Sequence, residues 1–122
     1  MTDKEIIKFQ LMSHCYVYNI PVNNSDLDCL TLLGILGETD LISFCDIVTS
    51  NKIFKSAQTV RNCLVKLEKN GLLNKTGKSK KVIKLNPNMN IQCSGNIFLD
   101  YKIYTIEPDK VEGSLEAISE EA

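Results

Sequence analysis

The residues best suited to recognition chemistry crowd into one stretch of this chain, Ser56 to Lys81. Ser56 can cap a helix. Val60, Cys63, Leu64 and Leu67 then recur at i, i+3, i+4 and i+7, one apolar stripe that belongs against a core. The stripe decides which residues look outward: Gln58, Thr59, Arg61, Asn62 and, a turn later, Lys66 and Lys69. Laid in a major groove, Arg61 suits the paired acceptors of guanine, and Gln58 or Asn62 the donor and acceptor of adenine. The Ser56 and Thr59 hydroxyls and the first-turn amides suit phosphate. Gly71 stands where a C′ glycine ends a helix, because only glycine takes the left-handed conformation cheaply. Beyond it the period changes. Leu73-Asn-Lys and Lys81-Val-Ile-Lys-Leu85 flank Thr76-Gly77-Lys78-Ser79-Lys80, which predicts two short strands around a turn. Lys78, Lys80 and Lys81 at its tip can meet a phosphate backbone, adding affinity without sequence information. The plainer reading is that Gln58, Arg61 and Asn62 are ordinary exposed helical residues and the lysines a solvated surface.

Thr59-Val60, Leu64, Leu67-Glu68, Asn70-Gly71-Leu72-Leu73 and the lysine hairpin resemble the recognition helix and wing of winged helix-turn-helix proteins. MarR-type regulators and related bacterial and phage repressors are familiar examples. The resemblance spans roughly residues 25 to 85 and neither end of the chain. It implies three helices followed by a hairpin wing. It further implies DNA read by the outward face of the third helix, with the wing on the backbone or minor groove. The same fold also serves as a protein-binding module.

Charge is segregated along the chain. Lys52 to Lys84 holds ten Lys or Arg and one acid, Glu68, a net of +9. The remainder holds four bases and fourteen acids, a net of −10, so the whole carries −1. A solvated helix face ordinarily mixes signs, whereas a one-sided basic surface is the footprint of polyanion binding. The overall pI of about 5.8 argues against DNA, and the segregation weakens that objection. At 122 residues, with 43% hydrophobic and 24% charged residues, the composition is that of one ordinary globular domain. No apolar run has the length of a membrane span, and no signal-peptide pattern opens the sequence. Cys15, Cys29, Cys45, Cys63 and Cys93 are odd in number, widely spaced and without a C-x-x-C pair, so they are expected to be reduced, buried hydrophobes of a reducing cytosol. Clustered metal ligands are absent from the sequence, as are H-E-x-x-H, P-loop and G-x-G-x-x-G motifs. His14 is the only histidine, and no cofactor, metal or enzymatic activity is expected.

Reading in order, residues 5 to 20 alternate Ile7, Phe9, Leu11, Cys15 and Val17, which predicts a strand over about 14–20, with the start of the segment open to either helix or strand. Pro21 and Asn23-Asn24 break it. Ser25 is expected to cap a first helix, striped by Cys29, Leu30, Leu32, Leu33 and Leu36 and ended by Gly37. Ser43 is expected to cap a second, with Phe44, Ile47 and Val48 inward. After the turn at Asn86-Pro87-Asn88, Ile97 to Ile106 alternates as the best strand in the sequence, pairing with the N-terminal strand or a second subunit. Glu107 to Ala122 has six acids and one lysine, an acidic flexible tail.

The expected architecture is therefore α+β. A winged helix occupies a single domain over 1–106, with its core at 25–85, extra N- and C-terminal strands, and the tail at 107–122. The expected function is binding of double-stranded DNA as a transcriptional regulator or replication accessory factor of a bacterium or phage, in the cytoplasm and as a dimer. The alternative is a winged-helix interaction module, such as an assembly component of a phage virion. A third, RNA binding by the basic hairpin, lacks an aromatic stacking platform. The abundance of Asn, Lys and Ile suits an AT-rich genome.

Overall fold

Thr2 opens the first helix, α1 (Asp3–Val17), with a capping box. The Glu5 amide donates to the Thr2 hydroxyl at 3.2 Å, and the Glu5 carboxylate reaches back to the Thr2 amide. The computed structural model describes residues 2–93, which form four α-helices, a three-stranded antiparallel sheet and one short 3₁₀ turn. Along α1, Ile7, Leu11 and Cys15 are buried at four-residue spacing and pack on the second helix. The strand predicted over 14–20 is thus replaced by helix to Val17. Burial in step with Ile7 and Leu11 overrides the strand preference of Tyr16, Val17 and Tyr18, all of which are exposed. Asn19, left-handed at φ 55°, closes α1 as the Ile20 amide donates to the Cys15 carbonyl at 2.8 Å. There is consequently no N-terminal strand to pair with residues 97–106. That second expected strand and the acidic tail lie outside the described residues.

Helix α2 (Asn24–Leu36) is capped by Asn23 rather than Ser25, in a box completed by Asp26. It buries Leu27, Cys29, Leu30, Thr31 and Leu33, while Leu32 is half-buried and Leu36 exposed, so its inward face is rotated from the predicted stripe. Both ends of the shift have one cause, since α2 is covered by α1 as well as by the elements that follow. Gly34 permits that crowding. A Cβ there would stand 3.1 Å from Ile7 Cγ2 and from Leu85 Cδ1.

A two-residue strand, β1 (Thr39–Asp40), precedes α3 (Leu41–Ser50). Asp40, not Ser43, caps α3, accepting the Ser43 amide at 3.0 Å. Phe44, Cys45 and Val48 turn inward, with Ile47 half-buried. A turn at 51–56, with Lys52 left-handed at φ 60°, leads to α4 (Ala57–Lys69). The hairpin is β2 (Leu73–Thr76) and β3 (Val82–Leu85), paired from Leu73↔Leu85 to Thr76↔Val82. Strand β1 adds to the other edge of β3, Thr39↔Ile83 and Asp40↔Val82, giving the order β1-β3-β2. Phe44, Leu30, Leu33, Val60, Leu67, Leu72, Leu73 and Ile83 form the shared core, each at most 1% exposed. Among the described residues, no helix is long and apolar enough to cross a membrane.

Candidate nucleic-acid interface

Helix α4 begins as the sequence reading has it. The Thr59 amide donates to Ser56 Oγ at 3.2 Å, and Gly71 leaves the helix at φ 75° while the Leu72 amide closes onto the Leu67 carbonyl. Val60, Cys63, Leu64 and Leu67 are buried. Fully burying an aliphatic side chain is worth roughly 1.5–3 kcal/mol, against a few tenths for an exposed pair on a helix. Burial therefore sets the rotation of α4 about its axis. Gln58, Asn62, Val65 and Lys69 consequently recur at i, i+4, i+7 and i+11 down the outward face, with Thr59, Arg61 and Lys66 on its flanks, and all are exposed.

The polar side chains on this face are ordered among themselves. Ser56 Oγ and Thr59 Oγ1 lie 2.9 Å apart, and Gln58 Nε2 donates to Asn62 Oδ1 at 2.9 Å. Arg61 is exposed, yet its charge reaches back to Cys45 on α3 and opposes the burial that pushes that thiol up. Lys66 departs from the group. Its ammonium donates to Asp26 Oδ2 on α2 at 2.7 Å. Asp26 is 2% exposed and also accepts from Cys63 Sγ at 3.3 Å and from the Asn23 amide. Burial opposes the charge of Asp26, but the hydrogen bonds from Lys66, Asn23 and Cys63 outweigh it and hold the carboxyl below its ordinary range. The carboxylate so ties α4 to α2 through one buried partner, Cys63, and one exposed partner, Lys66.

The hairpin turn carries Lys78, Lys80 and Lys81, all exposed. Gly77 has φ 97°, and a Cβ there would run into the Lys80 carbonyl oxygen. Lys81 Nζ closes the turn by donating to the Gly77 carbonyl at 3.0 Å. The turn is also tied to α3, since the Leu41 amide donates to the Lys81 carbonyl at 2.9 Å. Hydrogen bonds from Ser43 hold the Asp40 carboxyl below its ordinary value, with the charge of Lys80 adding to the effect. At the hairpin base, Asn86 Nδ2 donates to the Gly71 carbonyl at 2.8 Å and the Asn86 amide to Leu72. These contacts fix the hairpin relative to the C-terminal end of α4.

All ten Lys and Arg between Lys52 and Lys84 are exposed. Among the described residues the ion pairs are Lys8–Asp28 and Lys66–Asp26, so nine of the ten have no carboxylate partner there. Such a surface can neutralise phosphates at several points. His14 lies against Tyr18 with ring centroids 4.6 Å apart and the rings tilted by 41°, in a cleft also lined by Asn70, Asn86 and Asn88. Among the described residues no group of His, Cys, Asp and Glu is arranged to hold a metal ion.

Sequence reasoning missed three contributors. Asp26 lies beside the expected cap Ser25, where an acid draws no notice, and its pairing with Lys66, forty residues on, has no local signal. Strand β1 is two residues long, too short to show a period. Val65 was legible from its i+7 spacing to Gln58, but an isolated valine among polar residues draws no notice. In comparisons with protein-family models, with curated proteins and with solved structures, the chain matches none.

Proposed function

We propose that the protein is a non-catalytic winged-helix module that binds double-stranded DNA, with α4 as recognition helix and the β2–β3 hairpin as wing. The order helix, helix, two-residue strand, helix-turn-helix and hairpin is compatible with that fold, and β1 supplies the short third strand beside the wing. One observation carries the reading: nine exposed cations on α4, its preceding turn and the hairpin have no carboxylate partner among the described residues. A regulator or replication accessory factor of a bacterium or phage uses such a surface, as a dimer when its sites are palindromic.

The test is fluorescence anisotropy with a labelled DNA duplex across a salt series. Three to six phosphate contacts give a log–log slope of roughly −3 to −5. Lys78→Ala/Lys80→Ala/Lys81→Ala flattens the slope by about one unit for each lysine in contact. No binding at low salt overturns the reading, and tighter binding to an RNA hairpin than to duplex DNA redirects it to RNA.

A second reading, an interaction module such as a virion assembly component, is favoured by α1. Phe9, Met12 and Tyr16 fall at i, i+3 and i+7 on the side away from its buried stripe and stand 45%, 48% and 88% exposed. An assembly module forms a stable complex through such a face and shows no steep salt dependence on DNA.

A further inference from the structure

Gln58 and Asn62 lie one turn apart on the outward face of α4, joined by the 2.9 Å bond from Gln58 Nε2 to Asn62 Oδ1. A carboxamide has one acceptor oxygen and an NH₂ with two donor hydrogens. Once the bond between them has used one donor and one acceptor, Gln58 Oε1 remains as a free acceptor and Asn62 Nδ2 as a free donor. Turning both amides end for end reverses the roles, leaving Gln58 Nε2 as donor and Asn62 Oδ1 as acceptor. In either arrangement the joined pair keeps one acceptor and one donor that the bond between them does not use.

Only one base has the matching pattern in the major groove. Adenine places the N6 donor next to the N7 acceptor, whereas guanine shows two acceptors, cytosine a single donor and thymine a single acceptor. The mutual bond also orders two flexible side chains before any DNA arrives, so less freedom is lost on contact. Their neighbours do not compete for the pair: Ser56 and Thr59 bond to each other, and Lys66 is held by Asp26.

We propose that Gln58 and Asn62 act as one unit that reads a single A·T base pair, each side chain depending on the other for its orientation. The inference rests on the DNA-binding reading above and adds which residues determine specificity, and for which base.

The experiment selects binding sites from a randomised duplex library with the full chain and with Gln58→Ala, Asn62→Ala and the double variant. The wild-type site contains one A·T position that becomes unconstrained in all three variants. Replacing that pair by G·C weakens wild-type binding by about 5- to 150-fold, the span of a good bidentate base contact. Each single variant loses nearly all of this preference, and the double variant loses no more than either single one. Both positions are exposed on a helix, where alanine is well tolerated, and thermal melts check that the variants stay folded. A single variant that keeps the A·T preference overturns the unit, as does a wild-type site unchanged in the double variant. Absence of any duplex binding by the wild type at low salt overturns the DNA reading itself, and the inference falls with it.

Discussion

Asp26 is a buried carboxylate of α2 that holds an exposed lysine of α4, Lys66, at 2.7 Å. Asp26→Asn leaves Lys66 free to return to water and turns one of the two carboxylate oxygens into a donor, so either Cys63 or the Asn23 amide loses its acceptor. Hydrogen bonds to charged groups are worth about 1.5–3 kcal/mol each when made, with much of that regained by solvent on the exposed lysine side. Asp26→Asn is therefore expected to cost about 1–3 kcal/mol in urea unfolding at neutral pH. The sign of its pH dependence follows from the lowered native pKa. The unfolded carboxyl takes up its proton first as pH falls, so the stabilisation is complete above the ordinary value of 3.8 and is lost as pH drops through the lower native one. The gap between wild type and Asp26→Asn should close in acid over that window. A gap that stays constant to the lowest pH would show that Asp26 stabilises by packing and capping alone.

At the scale of elements, α4 and the hairpin are each made locally and then joined by a few specific contacts. Ser56 and Gly71 bound α4, and Gly77 permits the hairpin turn, all through short-range backbone requirements. Gly77→Ala forces a positive φ on a residue with a Cβ and drives that Cβ into the Lys80 carbonyl. Strain of this kind costs on the order of 1–3 kcal/mol. The expected outcome is a lowered urea midpoint and, on the proposed DNA-binding reading, a weaker salt-dependent affinity for duplex because Lys78, Lys80 and Lys81 lose their fixed spacing. An unchanged midpoint would mean that the turn relaxes without loss. Helix α1 illustrates the opposite case. Its alternation of Ile7, Phe9 and Leu11 fits a strand as well as a helix over a short window. Only the packing of Ile7, Leu11 and Cys15 on α2 decides for helix, because a strand would put Phe9 and Val17 on the same face, and both are exposed.

For the whole molecule, four of five cysteines sit inside the core and all five are free. Burial pushes the Cys15, Cys45 and Cys93 thiols up, and hydrogen bonding with Cys63 together with burial does the same for Cys29. Thiols held protonated in apolar surroundings are poor nucleophiles. Native protein at neutral pH should therefore react slowly with a disulfide reagent, the half-buried Cys93 first, and all five thiols should react at once in denaturant. Fast labelling of Cys29 or Cys63 without unfolding would contradict a packed core between α2 and α4. Sequence alone determined α4, its caps, its buried stripe, the hairpin and the exposure of the basic window, because these depend on neighbours within one or two turns. It equally exposed Gln58, Arg61 and Asn62 as the outward polar residues. Tertiary structure decided the rest: the helical state of α1, the caps at Asn23 and Asp40, strand β1, the diversion of Lys66 to Asp26, and the setting of the hairpin through Asn86 and Leu41. Each of these is settled by a partner distant in sequence, whose energy of burial or hydrogen bonding exceeds the few tenths of a kcal/mol by which local preferences choose.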